Sequence, residues 1–229
     1  MGVQDFDAEI QAIINRHQTF ESTRDVVEWS RELGYRSVNI DLVYGLPLQT
    51  TGHIHQSVEK IKTLLPDRIA YYSYAHVPWK SKGQRRYTDD DVPRGKAKYE
   101  MYVLGHQLLR ALGYDTIGMD HFALKNDSLL NAYNNGTLHR NFMGYTTTNH
   151  RLVIGLGASS IGDTWDAFAQ NEKEVEAYQR LVMEGTLPIV KGHALTKTDK
   201  VIRRHILDLM CTGSTTIHPE VLDEGVLAT

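Results

Sequence analysis

A chain of 229 residues with 41% hydrophobic and 23% charged residues can bury one full core, as a single α/β unit or as one domain with an appendage. Its net charge of −3, without a basic block, argues against nucleic-acid binding as the main activity. No apolar run approaches the ~18 residues of a transmembrane helix, and the amino terminus does not resemble a signal peptide. A cytoplasmic protein that binds neither nucleic acid nor membrane is therefore expected.

Strands and helices alternate through the first part of the chain. The predicted strands begin at Gly2, Ser37 and Arg68, which is the spacing of βαβ units and implies parallel neighbouring strands. Apolar residues at helical spacing predict amphipathic helices between them, the last of which ends at Pro66. These helices are predicted in "DAEIQAIINR", "STRDVVEWSRELG" and "HIHQSVEKIKTLL".

The pattern becomes less regular after the third strand. A polar, Pro-bounded surface loop is predicted over residues 76–93, followed by a long helix over 96–112 that Gly113 ends. "YDTIGMDHFA" reads as a strand, and the Asn-rich stretch up to Gly136 as a helix or loop. "LHRNFMGYTTTN" and "RLVIGLGASSIGD" read as two strands that could pair. Further helices are predicted over 171–183 and in "DKVIRRHILDLMC".

Polar groups follow four predicted strand ends. Asp41 lies in the apolar strand "VNIDLVYG", where an unpaired carboxylate is costly, so a partner or ligand should meet its charge. The other groups are Gln4, the "YAH" end of the third strand, and the Asp120–His121 pair. Because sites on α/β barrels form at the carboxyl ends of the strands, these groups are expected to converge.

Several of these residues have a structural interpretation beside the functional one. Strand alternation would point Asp120 and His121 to opposite faces, so both reach one site only through a bulge. His121 could bind substrate or transfer a proton, or could be a buried histidine held by a backbone carbonyl. Arg140 could pair with a carboxylate, although a solvated charge is the default. Gly155 and Gly157 could let a ligand approach the backbone, but they lack the spacing of a dinucleotide-binding motif.

Five segments, in this order, resemble the oxygen-independent coproporphyrinogen III oxidases, which are radical S-adenosylmethionine enzymes of haem biosynthesis. The segments are "GVQDF", "NIDLVYGLPLQT", "YAHVP", "IGMDHFA" and "LHRNFMGYTT". The resemblance covers nearly the whole chain. It implies oxidative decarboxylation of two propionates of coproporphyrinogen III, giving protoporphyrinogen IX, driven by a radical from S-adenosylmethionine.

The resemblance assigns cofactor-binding residues. Ribose hydroxyls and the amino group of S-adenosylmethionine would bond Asp41 and Gln4, and its carboxylate would bond Arg16. Two residues would pack on the adenosine, Ala75 and Ile161. A second S-adenosylmethionine in the family lies against a Phe–Gln pair, which is Phe142 and Met143 here. Asp120, His121 and Arg140 are candidates for binding the substrate, and Arg85 and Arg86 could also hold its carboxylates.

The iron–sulfur ligands of the family are absent from this sequence. Its CxxxCxxC motif lies upstream of the matching region, and Cys211 is the only cysteine here, so no metal ligands are assigned. The chain is therefore expected to be an inactive fragment whose 4Fe–4S cluster belongs to the full-length protein. The expected fold is α/β: residues 1–190 form a partial TIM-like radical-SAM barrel, an open, curved, mainly parallel sheet with outer helices. Residues 191–229 begin a truncated C-terminal helical domain.

Two other functions stay open at this level. One is a haem-binding or haem-trafficking relative, which a haem-binding spectrum would identify. The other is a non-catalytic half-barrel binding module. Half a barrel has two open strand edges, which could pair with the missing amino-terminal half of the same protein or with a second copy of the chain.

Overall fold

The computed structural model describes residues 1–217, and the last part of the predicted domain 191–229, residues 218–229, lies outside the described residues. Contacts divide the chain into two compact units, Met1–Asn131 and Ala132–Thr229. This division differs from the predicted boundary at 190, which β10 (Ile189–Ala194) spans and which stays a prediction. None of the helices in residues 1–217 is long and apolar enough to cross a membrane.

The first unit contains the alternating strands and helices that the spacing predicted. The predicted strands at 2, 37 and 68 and the helix over 96–112 are confirmed within one or two residues. The elements are β1 (Gly2–Gln4), α1 (Ala8–Ile13), α2 (Phe20–Glu32), β2 (Asn39–Tyr44), α3 (Thr51–Leu64), β3 (Arg68–Ser73), two 3₁₀ helices (Lys82–Arg86 and Asp89–Asp91), α4 (Gly95–Ala111), β4 (Tyr114–Ile117), β5 (His121–Leu124) and α5 (Ser128–Asn134), which crosses the division between the units.

The strands form one open sheet in the order β1-β2-β3-β5-β4, with no closed barrel among the described residues. β1, β2 and β3 are parallel, as predicted. β5 is antiparallel to both β3 and β4. The expected mainly parallel sheet is thus only half right, because "YDTIGMDHFA" folds as a tight hairpin rather than one strand, and a tight turn can join only antiparallel strands.

The hydrophobic core lies on the face of the sheet that the helices cover. Ile40 and Leu42 of β2 alternate toward this face, where Ile61 of α3 and Leu109 of α4 are also buried. Full burial of such a side chain contributes about 1.5–3 kcal/mol. The alternate residues of β2, which include Asp41, face the opposite side of the sheet.

The second unit is built from short antiparallel pairs. The segments "LHRNFMGYTTTN" and "RLVIGLGASSIGD" do not pair as two strands: the first forms its own hairpin, and the strand that ends the second pairs with the segment after it. The predicted helix over 171–183 begins only at Val175, because Asn171 ends a strand. The elements are β6 (His139–Asn141), β7 (Gly144–Thr146), β8 (Ile161–Asp163), β9 (Ala167–Asn171), α6 (Val175–Met183), β10, which pairs with β9, and α7 (Lys197–Thr212).

Candidate functional site

One lateral row of residues crosses the middle of the five-stranded sheet. Gly2 lies opposite Asp41, Asp41 opposite Ala70, and Ala70 opposite His121. Opposed residues on paired strands share a face, and this row lies on the face away from the helices. Asp41 and His121 therefore flank the small side chain of Ala70, with their α-carbons two strand spacings apart, about 10 Å.

Asp41 is half-buried, and its own strand supplies the group that meets its charge. Asn39 Nδ2 donates a hydrogen bond of 2.6 Å to Asp41 Oδ1. The second oxygen accepts no hydrogen bond from residues 1–217. Beside it, Asn39 Oδ1 is buried without a hydrogen-bond partner among the described residues. The second oxygen of Asp41 is thus an acceptor that a hydroxyl or ammonium group of a ligand could bond.

Gln4 and Arg16 converge over Gly2, the register partner of Asp41. A β-carbon on Gly2 would lie 2.7 Å from Gln4 Nε2 and 3.5 Å from Arg16 Nη2, so the missing side chain leaves the space that these donors occupy. Gln4 adopts a left-handed backbone conformation with φ of 72°, which costs a non-glycine residue about 1–2 kcal/mol. The structure therefore brings Gln4 and Arg16 together beside Asp41.

Ala75 lies in the exposed loop that leaves β3, and the side chain of Gln84 holds this loop. Gln84 Nε2 donates to the carbonyl of Ala75 at 3.3 Å, and Gln84 Oε1 accepts from the N–H of Val77 at 2.6 Å. Lys98 Nζ donates to the carbonyl of Tyr74 at 2.6 Å. These bonds hold the backbone on both sides of Ala75. Because β1 and β3 run in the same direction, this loop lies at the end of the sheet at which β1 also ends.

Asp120 and His121 contact each other, contrary to the expectation from strand alternation. Asp120 lies in the turn between β4 and β5, outside the strand, so the alternation rule does not apply to it. Its Oδ1 is 2.6 Å from His121 Nδ1. His121 Nε2 is 3.5 Å from the hydroxyl of Tyr72, whose ring meets the imidazole edge-on. The histidine thus contacts a carboxylate on one ring nitrogen and a tyrosine on the other.

The other predicted site residues lie in the second unit. Ile161 begins β8 and is half-buried. Phe142 and Met143 form the tip of the β6–β7 hairpin, and Phe142 meets Phe168 edge-on at 4.8 Å between ring centroids. The guanidinium of Arg140 lies over the ring of Tyr145 at 4.8 Å, and its Nη1 is buried without a hydrogen-bond partner in residues 1–217. Arg140 is therefore not the solvated charge taken as its default.

The remaining candidates from the sequence have structural roles. A β-carbon on Gly155 would lie 2.8 Å from the backbone of Ile161, so the close approach made there is by the chain itself and not by a ligand. Arg85 and Arg86 are exposed in the first 3₁₀ helix, where Arg85 bonds the carbonyl of Pro78 at 3.0 Å. Arg86 Nη1 donates to Asn15 Oδ1 at 3.4 Å, so this arginine contacts the residue that precedes Arg16.

A buried polar pair beside the site was missed from the sequence. Asp5, only 1% exposed, directly follows Gln4, and its Oδ2 accepts from Gln49 Nε2 at 2.6 Å. Gln49 in turn ends the "YGLPLQ" turn that leaves the strand of Asp41. Their places in the chain could have indicated them, because Asp5 directly follows the end of β1 and Gln49 closes the turn after β2.

The donors and acceptors of this site fit S-adenosylmethionine. A guanidinium matches a carboxylate, and an amide with a free carboxylate oxygen matches hydroxyl and ammonium groups. The space over Gly2 and the unpartnered Asn39 Oδ1 are where such groups would enter. No set of three or more His, Cys, Asp or Glu residues within 1–217 is placed to hold a metal ion.

Solved structures define the class of protein. The chain superimposes on the coproporphyrinogen III oxidase of Escherichia coli, described as a radical SAM enzyme, with a TM-score of 0.86 and 40% sequence identity. The match covers 93% of this chain and 49% of that one. The chain thus has the fold of part of a radical SAM enzyme.

Curated sequence relatives agree with this structural match. The oxygen-independent coproporphyrinogen III oxidase of Pseudomonas aeruginosa is 45% identical over 211 residues, which are 92% of this chain and 46% of that protein. The enzyme of Paracoccus denitrificans is 40% identical over 225 residues, 98% of this chain and 50% of that protein. No protein-family model matches the chain. The chain is a homologue of oxygen-independent coproporphyrinogen III oxidases, as its motifs indicated, and spans about half the length of the curated relatives it matches.

Proposed function

We propose that this chain is the part of an oxygen-independent coproporphyrinogen III oxidase that binds S-adenosylmethionine in the second half of a TIM-like barrel. The observation that carries the proposal is the convergence of Gln4 and Arg16 over Gly2, beside the free oxygen of Asp41. The rest of the same protein would complete the barrel along the open sheet edges. The cytoplasmic location expected from the sequence stays part of this proposal.

Each residue of the site has a separate role in binding. Arg16 would form paired hydrogen bonds with the methionine carboxylate, and Asp41 would accept from the ribose hydroxyls. The side-chain amide of Gln4 would bond the amino group through its oxygen. Ala75 would contact the adenosine, and Ile161, which lies in the second unit, is assigned to the same cofactor by the resemblance alone. Holding the nucleoside in one orientation is the contribution that this chain makes to catalysis.

The chain would also contact the porphyrinogen substrate. Bound S-adenosylmethionine and a reduced 4Fe–4S cluster together supply the radical that removes a hydrogen atom from a propionate side chain. His121, which contacts Asp120, and Arg140, whose Nη1 is buried, are each a candidate for binding a propionate. A second S-adenosylmethionine would touch Phe142, whereas Met143 lacks the side-chain amide with which a glutamine would bond it.

The cluster itself would be held outside this stretch. Cys211 is the only cysteine, it is buried in α7, and burial raises the pKa of its thiol. A buried, protonated thiol is a poor metal ligand. The chain alone would therefore be inactive, and the oxidase activity is proposed for the whole gene product.

The direct test uses that whole gene product, reconstituted with iron and sulfide under anaerobic conditions. We expect it to convert coproporphyrinogen III to protoporphyrinogen IX when S-adenosylmethionine and a reductant are present, measured as porphyrin fluorescence after oxidation. Asp41→Asn should remove this activity, and Asp115→Asn, which changes a carboxylate on edge strand β4, should retain it. A cluster-loaded protein that forms no protoporphyrinogen would overturn the proposal.

A further inference from the structure

Asp5 is the least exposed charged side chain of the described residues, at 1%, and no step above uses its charge. Its Oδ1 accepts from the N–H of Asp7 at 2.8 Å and from Ser57 Oγ at 3.2 Å. Its Oδ2 accepts from Gln49 Nε2 at 2.6 Å. Both oxygens are therefore acceptors, and the buried carboxylate is fixed in one position.

Gln49 connects Asp5 to the strand that carries Asp41. Gln49 Oε1 accepts from the N–H groups of Gly45 and Leu46, at 2.7 and 3.1 Å. Its Nε2 donates to the carbonyl of Val43 at 3.0 Å as well as to Asp5. The amide cannot turn over without losing these bonds, so Asp5 always faces a donor at this position.

Gln11 connects the backbone of Asp5 to Arg16. Gln11, 3% exposed, donates from Nε2 to the carbonyl of Asp5 at 2.7 Å. Its Oε1 accepts from the N–H of Gln18 at 2.9 Å, and Gln18 Oε1 accepts from Arg16 Nε at 3.4 Å. Hydrogen bonds through Gln11 and Gln18 thus link the backbone carbonyl of Asp5 to the guanidinium over Gly2.

The residue before Asp5 is the strained one. Gln4 has its φ at 72°, and this left-handed conformation turns its amide back over Gly2. A strained backbone persists only where neighbouring contacts hold it. Asp5 is held at its carboxylate and at its carbonyl, immediately after Gln4, so these bonds oppose relaxation of the strained residue.

We propose that Asp5 is a positioning residue for S-adenosylmethionine, acting through Gln4 on one side and through Gln11 and Arg16 on the other. The inference rests on the proposed function. It adds to the residues that would touch the cofactor the buried residue Asp5, which holds two of them, Gln4 and Arg16, in place. Asp5 itself does not contact the cofactor.

The test measures the affinity for S-adenosylmethionine in the cluster-loaded gene product by isothermal titration calorimetry. Asp5→Asn keeps the shape but replaces one acceptor by an NH₂ group, which meets another donor. We expect the Kd to rise about tenfold or more, because a buried charge-assisted hydrogen bond is lost. The cluster absorbance should not change.

The matched control is Asp127→Asn. Asp127 is also a buried carboxylate of the first unit, and it accepts from Arg68 Nε at 2.9 Å and from Ser37 Oγ at 2.9 Å. Its loss should lower the melting temperature but leave the Kd within about twofold. If Asp127→Asn raises the Kd as much as Asp5→Asn, a general loss of stability explains both, and the positioning role is wrong.

A second variant avoids the buried carboxylate. Gln18→Ala removes the link to Arg16 at a partly exposed residue, so the protein should fold normally. It should weaken binding of S-adenosylmethionine by about threefold or more and leave binding of 5′-deoxyadenosine unchanged, because only the former has the carboxylate that Arg16 would bind.

A wild type that does not bind S-adenosylmethionine would overturn the proposed function. A wild type that binds it, with both variants unchanged, would overturn only the role of Asp5.

Discussion

Gly105 in α4 is the position where adding one carbon should do most damage to the fold. A β-carbon there would overlap the Cζ and Oη atoms of Tyr71, well inside an ordinary contact of about 3.4–4 Å. Tyr71 cannot move easily: it is 3% exposed, its ring packs on Tyr44 at 4.7 Å, and its hydroxyl donates to the carbonyl of Met101 at 2.9 Å. Burial raises the pKa of this hydroxyl, so it stays a donor.

Gly105→Ala should therefore destabilise the protein although alanine is the better helix former. Overpacking costs about 1–3 kcal/mol and a broken buried hydroxyl bond about 1–3 kcal/mol, whereas the gain in helix propensity is about 1 kcal/mol. A net loss of about 2 kcal/mol should lower the melting temperature by roughly 4–8 °C, measured by circular dichroism. In a Tyr71→Leu background the same substitution should be neutral or stabilising. An equal decrease in both backgrounds, or no decrease in the wild type, would refute this explanation.

Two further predictions concern stability. Burial, with the charge of Arg110, lowers the pKa of His106, so the unfolded state takes up a proton at a higher pH than the folded state does. The free energy of unfolding should therefore be highest above about pH 6.5 and decrease below it. Thermal unfolding across that range should show a smaller decrease for His106→Phe. Arg203 pairs with both oxygens of Asp163, at 3.0 and 2.6 Å, and stacks on Trp165 at 4.1 Å. Arg203→Lys should lower the free energy of unfolding by about 1–3 kcal/mol. An unchanged midpoint of urea unfolding would contradict this.

The local pattern of the sequence predicts the βαβ part of the fold well. The spacing of Gly2, Ser37 and Arg68 gives the three parallel strands, and Pro66 gives the end of α3. One detail differs: Leu65 ends the predicted helix "HIHQSVEKIKTLL" and its stripe of apolar residues, but it adopts a left-handed conformation and is 47% exposed. The residue before a proline is disfavoured in the helical conformation, so the stripe ends one residue earlier.

The sequence pattern does not show which distant strands and side chains contact each other. The contact between Asp120 and His121 depends on a turn at Met119, which a strand pattern hides. The row that joins Asp41 to His121 depends on β5 inserting beside β3. The burial of Asp5 depends on Gln49 and on helix α3, both more than 40 residues away. None of these partners could be chosen from residue type alone.

The residues that define the candidate site came from the resemblance, not from periodicity. Neither composition nor spacing distinguishes Arg16 from the other arginines, and Gln4 is one polar residue at a strand end. What the structure adds is their common position over Gly2. Their binding of S-adenosylmethionine stays a prediction.

The most direct test of the central claim is reductive cleavage of S-adenosylmethionine by the cluster-loaded gene product, measured as 5′-deoxyadenosine released. Asp41→Asn should lower this rate by about 100-fold, because the nucleoside loses its fixed orientation, while the absorbance of the cluster stays the same. Asp115→Asn should keep the wild-type rate. Cleavage by Asp41→Asn at the wild-type rate would contradict the claim that this strand carboxylate holds the cofactor.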